Sequence, residues 1–262
     1  MTIPGGRTGN HFLDQLRDET LGLFRPYLVE VSPSRAEVLA LPDTELDFVW
    51  FPVTAVLSVV TTMEDGQDVE ACTIGHESAY GLLNAVGSSA VIDRVVTQVA
   101  GRALKMPSFR LRAAAALSPS ITDLVIRHAQ ANVAQVQQSV ACNALHSVES
   151  RLCRWLLMTQ DRTHSEGLPL TQEFLGFMLG VQRTTVTAAA TALQRARLIR
   201  YSRGRIEILD RAGLEAEACE CYQVVREKYA RLLGGPPPAA AEADRAEVQT
   251  PLGHGRLKTP AD

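Results

Sequence analysis

Leu170-Thr171-Gln172-Glu173-Phe174-Leu175-Gly176-Phe177-Met178-Leu179-Gly180-Val181-Gln182-Arg183-Thr184-Thr185-Val186 decides how this chain is read. Thr171 is placed to cap a helix, and Glu173 in its first turn favours the positive end of the helix dipole. Leu175, Met178 and Leu179 then share one face at helical spacing. Gly180 stands where the chain must leave that helix, and glycine tolerates the left-handed backbone such a stop uses. Val186, Ala190 and Leu193 renew the apolar face of a second helix running to about Arg197, with Arg183, Thr184 and Thr187 pointing elsewhere. Two helices joined at a glycine are either an ordinary helical hairpin or a helix-turn-helix, whose second helix can enter a DNA major groove.

The next residues favour the second reading. Leu198-Ile199-Arg200-Tyr201, Ser202-Arg203-Gly204 and Arg205-Ile206-Glu207-Ile208-Leu209 read as a β-hairpin with glycine in its turn. Helix-turn-helix plus a two-stranded wing is a winged helix. Residues 168–212 hold seven arginines against three acids, net +4, while residues 11–110 hold seven basic residues against fourteen acids, net −7. A mildly acidic chain has put its positive charge on the segment suited to meet phosphate, which supplies most sequence-independent DNA affinity.

With 262 residues and 46% hydrophobic content, the chain can form two domains. It has no apolar run of membrane-spanning length and no charged-then-apolar leader, so a soluble, cytoplasmic protein is expected. Five cysteines, an odd number, fit reduced thiols better than a disulfide framework.

Outward from the winged helix, residues 1–10 and 234–262 read as disordered, the latter opening Gly-Gly-Pro-Pro-Pro. Residues 11–30 suggest a short helix. Strands are expected near 49–51, 55–62, 69–74, 91–100 and 103–106, with Met63-Glu64-Asp65-Gly66 as a hairpin turn, giving a barrel or sandwich. Ser118-Pro119 opens a helix reaching about Leu145 without Gly or Pro. Along it Leu124, His128, Ala131, Gln135, Gln138 and Cys142 form one stripe, and Val125, Ala129, Val133, Val136, Val140 and Ala144 another. Such a helix either packs on its own domain and on a partner's helix, as in a parallel coiled-coil dimer, or is buried within one domain. Ser147 is expected to cap the helix that follows.

This order resembles the Crp/Fnr family of bacterial transcription regulators, over roughly residues 11–232. The segments carrying it are Leu168-Pro169-Leu170-Thr171-Gln172-Glu173, Leu179-Gly180-Val181, Arg183-Thr184-Thr185-Val186 and Arg200-Tyr201-Ser202-Arg203-Gly204-Arg205-Ile206. The resemblance implies an α+β fold: a jelly-roll-like, cyclic-nucleotide-binding-like β-roll sensory domain (11–117), a dimerisation helix (118–146) and a winged helix-turn-helix domain (147–233). It implies a homodimer on a two-fold operator in double-stranded DNA, with RNA polymerase as a further partner, an unidentified small-molecule effector and no membrane partner. The stripe Leu124, His128, Ala131, Gln135, Gln138, Cys142 is assigned to the dimer helix. Carried over by position, Thr171, Gln182, Arg183, Thr184, Thr185, Thr187, Ser202, Arg203 and Arg205 become the DNA-binding candidates. The family's groove-reading pattern is Arg-Glu with a second Arg four residues after the Glu. Here Arg183 stays, but Thr184 and Ala188 replace the others, so a different operator is expected. Arg183 can still grip a guanine through two N–H donors, while Ser202, Arg203 and Arg205 suit phosphate.

The sensory part departs further. In the family's phosphate cassette, Gly-Glu-Leu precedes an Arg followed by Ser or Thr. Here Gly75-His76-Glu77-Ser78 and Arg94-Val95 stand in those places, with Asp93 beside the arginine. No tight cyclic-nucleotide binding is expected from this altered pocket. The cysteine trio of an iron–sulfur regulator is missing, since the first cysteine is Cys72. Cys219-Glu220-Cys221 is too close for a disulfide and needs further ligands to hold zinc, so both thiols read as structural. Cys142 and His146, four apart on the dimer helix, read as packing. Neither metal nor cofactor is expected. No P-loop, nucleophile elbow, zincin motif or dinucleotide fingerprint is present, so the chain does not read as an enzyme. The alternative is a protein-interaction or ligand-sensing adaptor that uses the β-roll without specific DNA readout.

Overall fold

The short apolar runs before residue 110 become antiparallel strands in the computed structural model, which describes residues 7–64, 66–163 and 167–234. After α1 (His11–Asp14) and α2 (Asp18–Phe24) come β1 (Val29–Val31), β2 (Val38–Ala40), β3 (Phe48–Pro52), β4 (Val56–Thr62) and β5 (Asp68–Ile74). Then α3 (Leu82–Val86), β6 (Arg94–Val99) and β7 (Ala103–Pro107) complete the roll. Its sheets run β2-β6-β4-β5 and β1-β7-β3. Phe51, Leu57, Val95, Leu104 and Met106 make its core together with Phe12 and Phe24 of the leading helices. Thr8 and Asn10, in a stretch expected to be disordered, are buried instead. Asn10 caps α1 and donates to the carbonyls of Pro52 and Ser78, both at 2.8 Å, which ties the segment to the roll. Residues 1–6, and the tail from 235 for which disorder is also expected, lie outside the described residues.

β4 shows no alternation of apolar and polar residues because both its faces are covered, as in any strand with cores on two sides. Leu57 and Val59 enter the roll core, whereas Val60 joins the core of the C-terminal half.

That half begins with α4 (Ser108–Leu117) and α5 (Pro119–Leu145), followed by α6 (Val148–Thr163) and β8 (Gly167–Leu168). Next come α7 (Gln172–Leu179), α8 (Arg183–Arg195), β9 (Ile199–Ser202), β10 (Arg205–Ile208), α9 (Arg211–Glu217) and α10 (Cys221–Leu233). Pro119 starts α5 as expected, but the Ser118 hydroxyl pairs with that of Ser120 at 2.9 Å and caps no backbone N–H. Ser147 does cap α6, accepting from the Ser150 N–H at 3.2 Å. Leu152, Leu156, Leu175, Val186, Leu193, Ile206, Tyr222 and Val225 form the second core.

The faces of α5 differ from the sequence expectation. Leu124, His128, Ala131, Gln135 and Cys142 are all buried within the chain, and Gln138 is half-buried. Their cover comes from the roll and from α10. Gln135 donates to the Thr73 hydroxyl at 3.2 Å and accepts from the Tyr229 hydroxyl at 3.1 Å. Gln138 meets Lys228 and Cys221 of α10. The polar members of this stripe therefore have partners inside the chain. The large apolar side chains α5 leaves exposed are Ile126 (46%), Val133 (50%) and Val140 (67%), at seven-residue intervals, and Leu145 (78%) at its end.

Polar bonds join the halves. Glu70 of β5 accepts from Trp155 Nε1 at 2.9 Å and from the Ser58 hydroxyl at 2.5 Å. Glu77 pairs with Arg162 at 2.8 Å, and the Arg35 guanidinium lies 4.8 Å above the Phe174 ring. No helix among the described residues is long and apolar enough to cross a membrane.

Candidate nucleic-acid interface

The reading head is assembled by local rules. The Thr171 hydroxyl accepts from the Phe174 N–H at 3.2 Å, capping α7. Gly180 ends that helix at φ 62, the left-handed region, and its N–H returns to the Phe177 carbonyl. Leu175, Met178 and Leu179 of α7 and Val186, Ala189, Ala190 and Leu193 of α8 point into the core. Gln182, Arg183, Thr184, Thr185 and Thr187 are consequently exposed at the start of α8. Gln182 occupies the N-cap position without a side-chain bond to the helix.

β9 and β10 pair from Arg205↔Ser202 to Ile208↔Ile199, and β8 adds a third strand. Arg203 and Gly204 form the two-residue tip, with φ of 49 and 73. Two successive positive φ values match the hairpin turn whose twist suits the flanking strands, hence the glycine. Tyr201 anchors the wing, its N–H donating to Gln194 Oε1 at 3.0 Å and its hydroxyl to the Leu170 carbonyl at 3.1 Å. Thr171, Gln172, Glu173, Arg183, Tyr201, Arg203 and Gly204 line one open cleft between the helices and the wing.

Charge is handled unevenly around this cleft. Arg200 is paired across the wing with Glu207 at 2.6 Å. Arg183, Arg203 and Arg205 are exposed and form no ion pair among the described residues. Ser202 is exposed beside them. The Thr187 hydroxyl is already engaged, lying 2.9 Å from both Gln172 Oε1 and the Arg183 carbonyl, to either of which its one proton can be donated. Sequence reasoning missed Gln172, Gln194 and Tyr201. Each positions an element through a contact between elements, which local spacing does not reveal.

In the roll, the residues standing for the phosphate cassette have partners inside the chain. Glu77 accepts from the Gly75 N–H at 3.0 Å and from Arg162. His76 Nδ1 lies 3.4 Å from the Arg162 carbonyl, and the Ser78 hydroxyl lies 3.0 Å from His128 Nδ1. Arg94, although Asp93 is its neighbour in sequence, pairs with Asp68 of β5. The strand register explains this: Arg94 lies opposite Val60 of β4, and β4 in turn pairs with the start of β5. Burial pushes His128 down to about 3, so it stays neutral, and it packs edge-on against Phe12 at 5.0 Å. All five cysteines are free and buried, and burial pushes Cys72 and Cys153 up to about 12. Cys142, His146, Cys219 and Cys221, which the sequence presents as two unrelated pairs, converge at one point.

A helix-turn-helix with a third-strand-supported wing, and on one edge arginines without ion-pair partners among the described residues, defines a winged-helix, DNA-binding class of protein. Similarity to known proteins narrows this. Residues 150–217 match the Crp-like helix-turn-helix domain. The fold is that of FixK2 from Bradyrhizobium japonicum, at 15% identity and a TM-score of 0.63 over 73% of this chain and 98% of that one. It is also that of TTHB099, a CRP-family transcriptional regulator from Thermus thermophilus, at 20% identity and 0.61 over 72% and 96% of the two chains. TTHA1359, a CRP/FNR-family regulator from the same organism, matches at 20% identity and 0.60 over 72% and 98%. No curated protein matches the chain in sequence. The resemblance drawn from the sequence is borne out: this chain has the Crp/Fnr architecture and carries a Crp-like helix-turn-helix domain.

Proposed function

We propose that this protein is a sequence-specific DNA-binding transcription regulator that acts as a homodimer and catalyses no reaction. The observation that carries the reading is the set Arg183, Arg203 and Arg205, exposed and without ion-pair partners among the described residues on the rim of a winged helix. Arg183, at the N-terminal end of α8, reads base edges, and Arg203 and Arg205 hold phosphates. Thr184 and Thr185 add short contacts. Thr187 offers its methyl group, because its hydroxyl is engaged within the chain.

The homodimer uses Ile126, Val133 and Val140 of α5, an apolar row at heptad spacing that nothing among the described residues covers. Two heads carried by a parallel helix pair match an operator with two-fold symmetry. The roll senses through a pocket that no longer suits a cyclic nucleotide. Supporting this, Glu77 and Arg94 are both committed to partners within the chain, and Val95 has no hydroxyl to donate.

Selection of genomic DNA fragments by the purified full-length chain tests the reading. A recurring palindrome with salt-sensitive binding is expected; uniform capture of all fragments, or none, would refute it. Sedimentation should give a dimer that Val133→Glu with Val140→Glu converts to a monomer. Calorimetric titration with cyclic AMP and cyclic GMP should show no micromolar binding.

A further inference from the structure

At the joint between α5 and α10 lies a cluster that the DNA-reading function does not use. Cys142 is in the last turn of α5, and His146 is the residue that caps it. Cys219 lies in the link after α9, and Cys221 opens α10. The Sγ atoms of Cys142 and Cys219 are 3.5 Å apart, and His146 Nδ1 is 3.5 Å from Cys221 Sγ. All four donor atoms lie within 4.8 Å of one another. Metal–sulfur bonds of about 2.3 Å and metal–nitrogen bonds of about 2.0 Å put the corners of a tetrahedron about 3.5–3.8 Å apart. The cluster is therefore close to the size of a mononuclear tetrahedral site. A disulfide, in contrast, needs sulfurs about 2.05 Å apart.

We propose that Cys142, His146, Cys219 and Cys221 bind one divalent zinc-class ion that fastens the end of the dimerisation helix to the C-terminal helix. Three thiolates and an imidazole in tetrahedral array select a borderline-soft cation with no geometric demand of its own, and four protein donors close the site, as in structural rather than catalytic centres.

The surroundings fit such an ion in three independent ways. His146 Nε2 faces the Glu220 carboxylate at 3.2 Å, which holds the proton on that nitrogen and turns the Nδ1 lone pair towards the thiols. A carboxylate behind a ligating histidine is the usual outer-shell partner. Gln138 donates from Nε2 to Cys221 Sγ at 3.1 Å, an N–H directed at the sulfur that would carry charge. Arg151 and Arg154 are buried, at 6% and 7% exposure, and neither forms an ion pair among the described residues. The Nε of each is also buried without a hydrogen-bond partner among the described residues, and both guanidiniums act electrostatically on Cys142. A divalent ion with three thiolates and a neutral imidazole has net charge −1, which places a negative group beside both arginines, of which Arg154 also acts on Glu70. Binding releases the three thiol protons to solvent and changes no oxidation state. The imidazole, with 23% of its side chain exposed, marks the side by which the ion enters.

The full-length protein, purified under reductant without chelator, should contain one equivalent of zinc by mass spectrometry. Metal-free protein titrated with cobalt(II) should develop intense visible bands of tetrahedral coordination and a sulfur-to-cobalt charge-transfer band, saturating at one equivalent. Cys219→Ser and Cys221→Ser should lose the charge-transfer intensity or weaken the metal beyond detection. Glu220→Ala should weaken it about 10–100-fold. Cys153→Ser, a buried cysteine outside the cluster, should bind as the parent does. If a serine variant fails to fold, the parent decides the matter: a strong chelator should lower its melting temperature, and zinc should restore it. Substoichiometric metal with six-coordinate cobalt spectra, a Cys142–Cys219 disulfide in the native protein, or cobalt bands unchanged in Cys219→Ser would overturn the proposal.

Discussion

The rim of the winged helix and the seam between roll and helical domain are both rich in arginine, and they treat it in opposite ways. On the rim, Arg183, Arg203 and Arg205 stand in solvent without carboxylate partners among the described residues. In the seam, Arg162 is buried, bonded at once to Glu77, to the Met158 carbonyl and to Gln135. A solvated guanidinium costs little to hold in reserve and loses nothing when it turns to a phosphate. A buried one must be satisfied by the fold itself. Positive charge alone thus does not mark a nucleic-acid face; positive charge left unpaired does.

Arg162→Ala should break that comparison most severely. It leaves Glu77, whose side chain is 19% exposed, with the Gly75 N–H but without its cation, and a cost towards the lower end of about 3–5 kcal/mol is expected in urea unfolding. Arg200→Ala serves as the contrast, since its pair with Glu207 is exposed and should be worth less than about 1 kcal/mol. Similar losses for the two would erase the distinction between seam and rim.

Glu70 gives the seam a pH dependence. Burial raises its carboxyl from 4.5 to about 7, against the opposing hydrogen bonds from Ser58 and Trp155. The folded chain therefore holds a proton that the unfolded chain has released between those values. This contribution is fully present below pH 4.5 and is lost as pH rises through about 7. Unfolding free energies from urea titrations at about pH 5.5 and about pH 8 should differ more for the parent than for Glu70→Gln, by up to about 2 kcal/mol. Equal pH slopes in the two proteins would remove Glu70 from the account.

On the rim, Arg183→Ala should cost about 1–3 kcal/mol on a selected operator and little on random DNA, measured by fluorescence anisotropy at fixed salt. Equal losses on both would make Arg183 a phosphate contact. Arg203→Ala has the smallest expected effect at a single salt concentration. It should weaken all sequences alike and lower the slope of log affinity against log salt by about 0.9. An unchanged slope would place the wing tip away from the backbone.

Much of the rim is legible in the sequence because its rules are local. Capping by Thr171, the left-handed stop at Gly180 and the wing turn at Arg203-Gly204 each act within a few residues. The seam is not legible. Glu77 and Arg162 are 85 residues apart, and only the packed chain brings them together. Periodicity groups the inward stripe of α5 correctly yet suggests a partner for it, because it reports which residues share a face and not what covers it. Gln135 and Gln138 are too polar for a good seam between helices, and their partners prove to be Tyr229, Thr73, Lys228 and Cys221. For the same reason two cysteine-containing motifs, each weak alone, look unrelated in the sequence although 77 residues of chain fold them onto each other.

β4 makes the two domains share a wall one strand thick. Leu57 and Val59 form part of the chamber on one side, while Ser58 touches Met178 of the first reading helix at 3.5 Å on the other. In an interior packed as tightly as a crystal, such a wall cannot bulge into one room without intruding on the next. A roll that swelled or tightened would therefore press on the reading head by direct contact across β4.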